Sequence, residues 1–210
     1  ASTNKLYTCA AAFHFLKKHH QFKTDVLSNK KNLVLKGGGD PDLSIKELDS
    51  LALEVSKKYK NIDTLFIDDT FLDSLNYGEG WMWDEGPWWY AAPISALTVN
   101  DNCIDFYIKP STIGKAASID YYPKTSFIKF KNASMTVQDS VLKKLKIDRD
   151  WVLNKNTFYA YGELIDTADV DTLYRNIYNP STFTGIVFKE SLERYGTVSY
   201  THLRAHETSF

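Results

Sequence analysis

The sequence contains little cysteine and no long apolar run, and these two gaps exclude several classes of protein. Its two cysteines, Cys9 and Cys103, are too few for a disulfide framework and lack the spacing of a metal site. No apolar run approaches the ~18 residues that a membrane-spanning helix requires. Because Cys9 falls among apolar helix positions, we expect it to be a small core residue.

A surplus of charge is also missing, since the formal net charge is −1. No nucleic-acid partner is therefore expected, whereas contact with a membrane surface stays open. What the chain does have is 43% hydrophobic residues and 14% aromatic residues over 210 positions. This is a globular composition, and the chain is long enough to bury a sizeable core.

The apolar periodicity predicts a chain of the α+β class, with helices and strands mixed along the sequence. Helices are predicted over 2–18, 44–59 and 179–195, with a short helical interruption over 140–147. Gly196 is expected to stop the last long helix. Strands are predicted over 33–35, 62–67, 96–109, 116–122, 127–137 and 151–165. A long loop over 68–93 holds four of the five tryptophans.

A Ser-x-x-Lys tetrad, Ser2 to Lys5, lies at the start of the first predicted helix. Three residues make nearly one helical turn, so the two side chains share a face with Cβ atoms about 5–6 Å apart. A serine hydroxyl becomes a good nucleophile when a base removes its proton, and a neighbouring lysine can act as that base. The helix N-terminus would stabilise a nascent oxyanion. The alternative is that Ser2 is an ordinary helix cap.

The same spacing recurs elsewhere, so spacing alone does not select a nucleophile. Ser28 lies in a polar connection, Ser126 begins a predicted strand, and Ser140 precedes a short segment with solvated lysines; each is followed three residues later by a lysine. Among the four tetrads, Ser2 alone combines a helix start with an apolar helix of small residues behind it.

Four sequence blocks carry a resemblance to a known family. They are "ASTNKLYTCAAA" at 1–12, "LVLKGGGDPDL" at 33–43, "DDTF" at 68–71 followed by the Trp-rich loop, and "YAAPISALTVNDN" at 90–102. In this order they resemble the class C low-molecular-mass penicillin-binding proteins, which are D-alanyl-D-alanine carboxypeptidase/endopeptidases with a large insertion after the nucleophile. The resemblance covers most of residues 1–197.

The resemblance implies that Ser2 is the acylated nucleophile and Lys5 its proton acceptor. The implied substrates are peptidoglycan stem peptides, the implied inhibitors are beta-lactams, and no metal or organic cofactor is implied. The implied protein is exported, periplasmic or otherwise extracytoplasmic, with a signal peptide that this sequence does not include. The implied fold is a penicillin-binding, beta-lactamase-like serine transpeptidase domain interrupted by an inserted α/β and β-rich region. We place its N-terminal piece at 1–40, the insertion at 41–165 and the return toward the catalytic domain at 166–197.

Two further elements of such enzymes, Ser-x-Asn and Lys-Thr-Gly, have no credible match in the sequence. Ser74-Leu75-Asn76 lies inside the Trp-rich loop, and Lys124-Thr125-Ser126 lacks the glycine. In the family both elements follow the insertion. We therefore expect this chain to be an inactive fragment, in which Leu6, Phe13 and Leu16 of the first helix are more exposed than core residues.

The last stretch, 198–210, is polar and does not resemble the family; it is similar to a translated sequencing-adapter read. We expect a non-native, loosely attached tail, in which His202 and His206 bind no metal despite their i, i+4 spacing.

Two other functions stay open at this point. In a non-catalytic wall-binding module, the tryptophans of the loop would form a platform on which peptidoglycan sugars stack. The alternative is that these residues only pack the loop. They are Trp81, Trp83, Trp88 and Trp89. A beta-lactamase-like hydrolase is less consistent with the sequence, because such enzymes lack the long insertion.

Overall fold

The computed structural model describes residues 3–16, 18–29, 31–138, 141–199 and 203–205. Its three helices are α1 (Asn4–Phe15), α2 (Ile45–Lys58) and α3 (Pro180–Arg194). The strands are β1 (Thr24–Asn29), β2 (Asn32–Gly37), β3 (Asn61–Ile62), β4 (Thr64–Asp68), β5 (Cys103–Lys109), β6 (Ser118–Tyr122), β7 (Lys129–Val137), β8 (Lys146–Arg149), β9 (Thr157–Ile165), β10 (Asp171–Asn176), β11 (Val198–Ser199) and β12 (Leu203–Ala205). The predicted α+β class is confirmed.

An α/β layer forms one part of the structure. Its sheet has the strand order β1-β2-β4-β12, in which β2, β4 and β12 run parallel and β1 pairs antiparallel with β2. Parallel neighbours require a crossover connection, which α2 provides between β2 and β4 and α3 provides before β11. The two helices pack against each other. The core of this layer contains side chains that are at most 1% exposed: Leu33, Leu35, Leu48, Leu65, Ile67 and Phe188.

Local sequence signals set the ends of α2 and α3. Ser44 and Glu47 form a capping box: Ser44 Oγ accepts from the Glu47 amide at 3.2 Å, and Glu47 Oε2 accepts from the Ser44 amide at 2.9 Å. Asn179 caps α3, and Gly196, at φ +80°, follows its end. The predicted helices over 44–59 and 179–195 are therefore confirmed.

A β-rich part lies between β4 and α3 in the sequence. It contains two three-stranded sheets, β10-β5-β6 and β7-β9-β8. Phe106 of β5 contacts Phe130 of β7 and Phe158 of β9, with ring centroids 5.3 and 5.2 Å apart. The two sheets therefore share one aromatic core.

The secondary structure differs from the prediction at several places within the described residues; one is the strand predicted over 151–165, which begins only at Thr157. The helix over 140–147 is absent, because Lys146–Arg149 instead pairs with β9 and buries Ile147 completely. The predicted strand from residue 96 begins only at Cys103, after a turn over Asn100–Asn102 at positive φ. Strands β1 and β10 were not predicted, since β1 is a mostly exposed edge strand with few apolar residues.

The segment expected to be a loose tail contains two paired strands. Val198–Ser199 pairs with Asn61–Ile62, and Leu203–Ala205 pairs with Leu65–Ile67. The physical reason is that β4 would otherwise present an open edge, with which an extended segment readily pairs. His202 and His206 lie outside the described residues, and the non-native origin of the tail stays a prediction.

Candidate active site

Of the predicted catalytic residues Ser2 and Lys5, the structure describes Lys5, which lies on helix α1. Lys5 lies in its first turn and is exposed, and Thr3 precedes the helix without a side-chain cap. Ser2 lies outside the described residues. The pairing of Ser2 with Lys5 therefore stays a prediction.

Helix α1 has no buried residue. Leu6 is 71% exposed, Phe13 89% and Leu16 41%, which confirms the expectation that these apolar side chains are left uncovered. The prediction that Cys9 is a core residue is wrong, because Cys9 is exposed on the same uncovered helix.

The competing Ser-x-x-Lys tetrads have structural roles where they are described. Ser28 Oγ is hydrogen-bonded to Tyr59 Oη at 2.5 Å, and Ser126 Oγ donates to Glu190 Oε1 at 2.6 Å. Ser140 lies outside the described residues. In the accidental Ser-x-Asn match, Asn76 Nδ2 donates to the Ile94 carbonyl at 2.8 Å and so fixes the loop.

Two of the family-like blocks meet at the Gly-Gly-Gly turn. The Gly39 amide donates to the Ala96 carbonyl at 3.0 Å, which joins the block at 33–43 to the block at 90–102. A Cβ at Gly37 would lie 2.2 Å from the Ala96 oxygen, and a Cβ at Gly38 would lie 2.3 Å from the Lys23 oxygen. Glycine is required at both positions because backbone approaches so closely.

The "DDTF" block joins the same junction through Asp69. Ser181, in the first turn of α3, donates a short hydrogen bond to Asp69 Oδ2, and its Oγ lies 2.7 Å from Ser95 Oγ. The neighbouring Asp68 points elsewhere and pairs with Lys36 at 3.3 Å. Burial acts to raise the pKa of Asp68, but hydrogen bonds from Thr70 and the ammonium of Lys36 outweigh it and hold the pKa below its usual value.

The described side chains of the loop tryptophans contact aromatic and cationic residues of the same chain. Trp88 covers the guanidinium of Arg175 at 4.5 Å, and its ring is stacked with Tyr90. Trp81 instead contacts Tyr77 edge to face, with ring centroids 6.1 Å apart. The side chain of Trp83 lies outside the described part of the structure.

The described residues contain no group of three or more His, Cys, Asp and Glu side chains that could hold a metal ion. Burial raises the pKa of the Cys103 thiol to about 12, so this cysteine is not a nucleophile at neutral pH. No helix in the described part is long and apolar enough to cross a membrane.

The sequence analysis did not identify Arg149 or Trp151, which line a cavity together with Trp81 of the loop. Arg149 is 5% exposed. The alternation of Ile147 and Arg149 with polar neighbours was the signal, because it places both side chains on the buried face of a strand.

The comparisons with known proteins identify the family to which this chain is similar. The model of the D-Ala-D-Ala carboxypeptidase 3 (S13) family matches residues 1–209. The chain is 31% identical over 212 residues to a D-alanyl-D-alanine carboxypeptidase of Actinomadura sp., covering 93% of this chain and 39% of that protein. It is 35% identical over 113 residues to the D-alanyl-D-alanine carboxypeptidase DacB of Haemophilus influenzae, covering 49% of this chain and 24% of that protein.

The fold is also shared with a solved structure. The crystal structure of penicillin binding protein 4 from Haemophilus influenzae has a TM-score of 0.80 and 23% sequence identity, and the match covers 100% of this chain and 48% of that one. The chain thus spans less than half the length of these relatives. Because the family model matches nearly every residue, the chain belongs to the D-Ala-D-Ala carboxypeptidase 3 (S13) family.

Proposed function

We propose that the whole protein is a serine-type D-alanyl-D-alanine carboxypeptidase/endopeptidase that acts on peptidoglycan stem peptides. The observation that carries the proposal is the family match over residues 1–209, a range that includes the Ser-x-x-Lys tetrad. The relatives from Actinomadura and Haemophilus are themselves named D-alanyl-D-alanine carboxypeptidases.

In the proposed reaction, Ser2 Oγ attacks the carbonyl carbon of the penultimate D-alanine. Lys5 Nζ accepts the hydroxyl proton, and the tetrahedral intermediate collapses with cleavage of the C–N bond. The proton passes to the departing amine of the terminal D-alanine, leaving an ester on Ser2. Water then hydrolyses this ester and restores the serine. Each step moves a proton and an electron pair, so no redox partner is required.

Beta-lactams are proposed to acylate the same serine, since their strained amide presents an equivalent carbonyl. A Haemophilus penicillin binding protein 4 has been crystallised in complex with a beta-lactam. The substrate implies a periplasmic or other extracytoplasmic location. We retain the proposed division into a catalytic piece at 1–40, an insertion at 41–165 and a return at 166–197.

Acylation by a fluorescent penicillin tests this function in the whole protein. We expect stoichiometric labelling that is abolished by Ser2→Ala and slowed at least about a hundredfold by Lys5→Gln, the low end of what a general base contributes. Ser28→Ala is the matched control, because Ser28 belongs to a tetrad of the same spacing but is hydrogen-bonded to Tyr59. Labelling that survives Ser2→Ala, or that Ser28→Ala removes equally, would contradict the proposal.

The 210-residue chain by itself is expected to be nearly inactive toward the same reagent. Its sequence has no credible Ser-x-Asn element and no Lys-Thr-Gly element to complete the pocket and the oxyanion site. Stoichiometric labelling of this chain at Ser2 would overturn that expectation.

The rival function, a non-catalytic wall-binding module, requires binding of glycan without acylation. The same Ser2→Ala variant separates the two, because it would leave glycan binding unchanged in such a module. Penicillin labelling and glycan binding by the Ser2→Ala variant are therefore separate measurements, and together they distinguish the enzyme from the wall-binding module.

A further inference from the structure

A second cavity, of about 330 Å³, lies beside the start of β5. It opens on the face of the β10-β5-β6 sheet opposite the buried Phe106, because Asp105 alternates with Phe106 along β5. A cavity of this volume is within the range of small-ligand sites. Helix α1 and the cavity lined by Arg149 contribute no residue to it. The residues that line it are Trp89, Asn100, Asp101, Cys103, Asp105 and Tyr174.

Two carboxylates in this cavity have no cationic partner among the described residues. Asp105 Oδ1 accepts a hydrogen bond from Asn100 Nδ2 at 3.0 Å, whereas Asp105 Oδ2 accepts none within the described part of the chain and is accessible to solvent. Asp101 is exposed, and its carboxylate accepts no hydrogen bond from the residues that the structure describes. The ion pairs of these residues involve neither aspartate.

The negative charge of the two aspartates also acts on the groups around them. Burial raises the pKa of Asp105, and Asp101 adds to the increase against the opposing hydrogen bond from Asn100. Burial raises the pKa of the Cys103 thiol to about 12, and the charges of Asp101 and Asp105 add to that increase. Both effects have the sign expected of a cavity with a negative potential.

Arg175 opposes the increase at Cys103, but its guanidinium is engaged elsewhere. Its Nε donates to the Ile147 carbonyl at 2.5 Å, and its Nη1 donates to the Tyr174 carbonyl at 2.8 Å. The ring of Trp88 covers the guanidinium at 4.5 Å. Arg175 therefore does not neutralise the carboxylates, and a cationic ligand would supply the charge that the cavity lacks.

The turn that carries Asp101 is fixed by hydrogen bonds. Asn100, Asp101 and Asn102 have φ angles of +51°, +52° and +52°. Non-glycine residues hold this conformation only where the surrounding structure imposes it. Here Asn102 Nδ2 donates to the Pro93 carbonyl at 2.8 Å, and Asn100 Nδ2 donates to the Cys103 carbonyl at 3.0 Å. The turn is thus in place before a ligand arrives, which lowers the entropic cost of binding.

The remaining lining residues distinguish a metal ion from an organic cation. Ca²⁺ takes about 6–8 oxygen ligands, whereas Asn100 directs N–H donors toward Asp105. Trp89 and Tyr174 supply aromatic rings, which pack against methylene groups and attract an organic cation over their faces. Trp89 is 57% exposed and Tyr174 46% exposed, so both rings offer surface to a ligand. The lining therefore favours an organic cation.

We propose that this cavity binds the primary ammonium group of an alkylamine, with its N–H groups on Asp101 and Asp105 and its methylene groups against Trp89 and Tyr174. A primary ammonium offers three N–H donors, and the carboxylates have free oxygens to accept them. A quaternary ammonium would leave these oxygens without donors. Binding requires no acyl transfer at Ser2, so this proposal does not rest on the proposed function.

Isothermal titration calorimetry with three probes tests the proposal on the 210-residue chain. Pentylamine carries the alkyl chain and the ammonium, 1-pentanol carries the chain without the charge, and calcium chloride supplies a cation without a chain. We expect saturable binding of pentylamine and at least about tenfold weaker binding of the other two, a factor that corresponds to about 1.4 kcal/mol. No binding of pentylamine, equal binding of 1-pentanol or tighter binding of Ca²⁺ would overturn the proposal.

The ammonium can come from a small free amine or from a lysine side chain of a peptide. A tripeptide of lysine between two glycines, acetylated and amidated at its ends, presents the side-chain ammonium alone. Tighter binding of this tripeptide than of pentylamine would assign the site to a lysine side chain, and weaker binding would assign it to a free amine. Equal binding of the tripeptide in which norleucine replaces lysine would contradict an ammonium site.

Two pairs of variants locate the binding, each checked for cooperative unfolding in urea. Asp105→Asn removes a carboxylate of the cavity, and Asp120→Asn is its matched control on the same sheet, where Asp120 is paired with Lys124 outside the cavity. Trp89→Ala removes an aromatic wall, and Trp81→Ala, at an exposed position outside this cavity, is its control. Both cavity variants are expected to weaken pentylamine binding at least about tenfold, and both controls less than about twofold.

The exposed Trp89 keeps the test decisive, because truncation of an exposed side chain is tolerated by the fold. If Asp105→Asn fails to fold, the comparison of Trp89→Ala with Trp81→Ala decides. A loss of binding in Asp120→Asn or Trp81→Ala as large as in its cavity counterpart would refute the site.

Discussion

Arg149 Nη2 donates to Asn176 Oδ1 at 3.1 Å, which joins the end of β8 to the end of β10. The same amide group of Asn176 donates through Nδ2 to the carbonyls of Gly86, Trp88 and Ala91 at 2.8 to 3.0 Å. A single buried side chain therefore positions both the arginine and the loop that lines a cavity with it.

Removing that side chain should destabilise the protein markedly. Asn176→Ala leaves a buried guanidinium N–H and the carbonyls of Gly86 and Ala91 without this partner, whereas the Trp88 carbonyl keeps its bond from the Ala91 amide. Each unsatisfied buried group costs about 1–3 kcal/mol. We expect the free energy of unfolding in urea to fall by at least about 2 kcal/mol. Asn156→Ala is the control, since the bonds of Asn156 with Tyr178 are exposed and water can replace them. Equal losses in the two variants would contradict this role of Asn176.

The uncovered face of α1 should make the 210-residue chain prone to associate. Leu6→Ala is expected to change the free energy of unfolding by less than about 0.5 kcal/mol, because Leu6 already lies in water. Leu192→Ala, at a fully buried position of α3, should cost about 2–5 kcal/mol. Phe13→Gln should lower the binding of a hydrophobic dye and the aggregation rate. A large loss of stability in Leu6→Ala would show that α1 is packed.

The two cysteines should differ sharply in reactivity. Cys9 is exposed, whereas Cys103 is buried and burial raises the pKa of its thiol to about 12. With a thiol reagent at mildly alkaline pH, we expect one group to react in the folded protein and two in urea. Cys9→Ser should leave no reactive thiol until the protein is unfolded. Rapid modification of Cys103 in that folded variant would contradict the burial of its thiol.

Asp105 should make stability depend on pH. Burial raises the pKa of Asp105, and Asp101 adds to the increase against the opposing hydrogen bond from Asn100. The folded state therefore holds this proton more tightly than the unfolded state, whose pKa is about 3.9. This contribution to stability is present at low pH and is lost as the pH rises through the raised value.

The variant Asp105→Asn removes this charge and keeps the acceptor for Asn100. We expect it to raise the urea midpoint more near neutral pH than near about pH 4, where the unfolded-state carboxyl is half protonated. Asp120→Asn is a control of opposite sign, because a hydrogen bond from Lys124 lowers the pKa of Asp120. A lower midpoint of Asp105→Asn near neutral pH would contradict the burial argument.

The fold could be predicted from the sequence where local chemistry and tertiary structure agree. The capping pair Ser44 and Glu47 marks the start of α2, and Gly196 marks the end of α3, because each satisfies backbone groups within its own segment. The segment 140–147 is predicted to be helical because its lysines suggest a solvated helix, whereas its last two residues belong to the strand Lys146–Arg149. This strand forms because it pairs with β9, and no pattern within the segment itself predicts that pairing.

The candidate sites could likewise be predicted only where their residues are close together in the sequence. The Ser2 to Lys5 spacing is visible in the sequence because one helical turn brings the two residues together. The cavity lined by Arg149 and Trp81 is not visible, since these two residues come from segments whose contact depends on Asn176. The alternation of Ile147 and Arg149 is a weak signal on its own, because arginine is usually expected at the surface.

The parallel partners of β4 also determine the order in which the sheet can form. Leu65 pairs with Leu203, and the whole β-rich part lies between these two residues in the sequence. Closing so long a loop is slow relative to local pairing, so this edge of β4 is covered late. The β-rich part is contiguous and can fold before that, whereas the open edge of β4 can pair with another chain. The order of the strands thus makes the α/β sheet the last part to close and the first place where misassembly can begin.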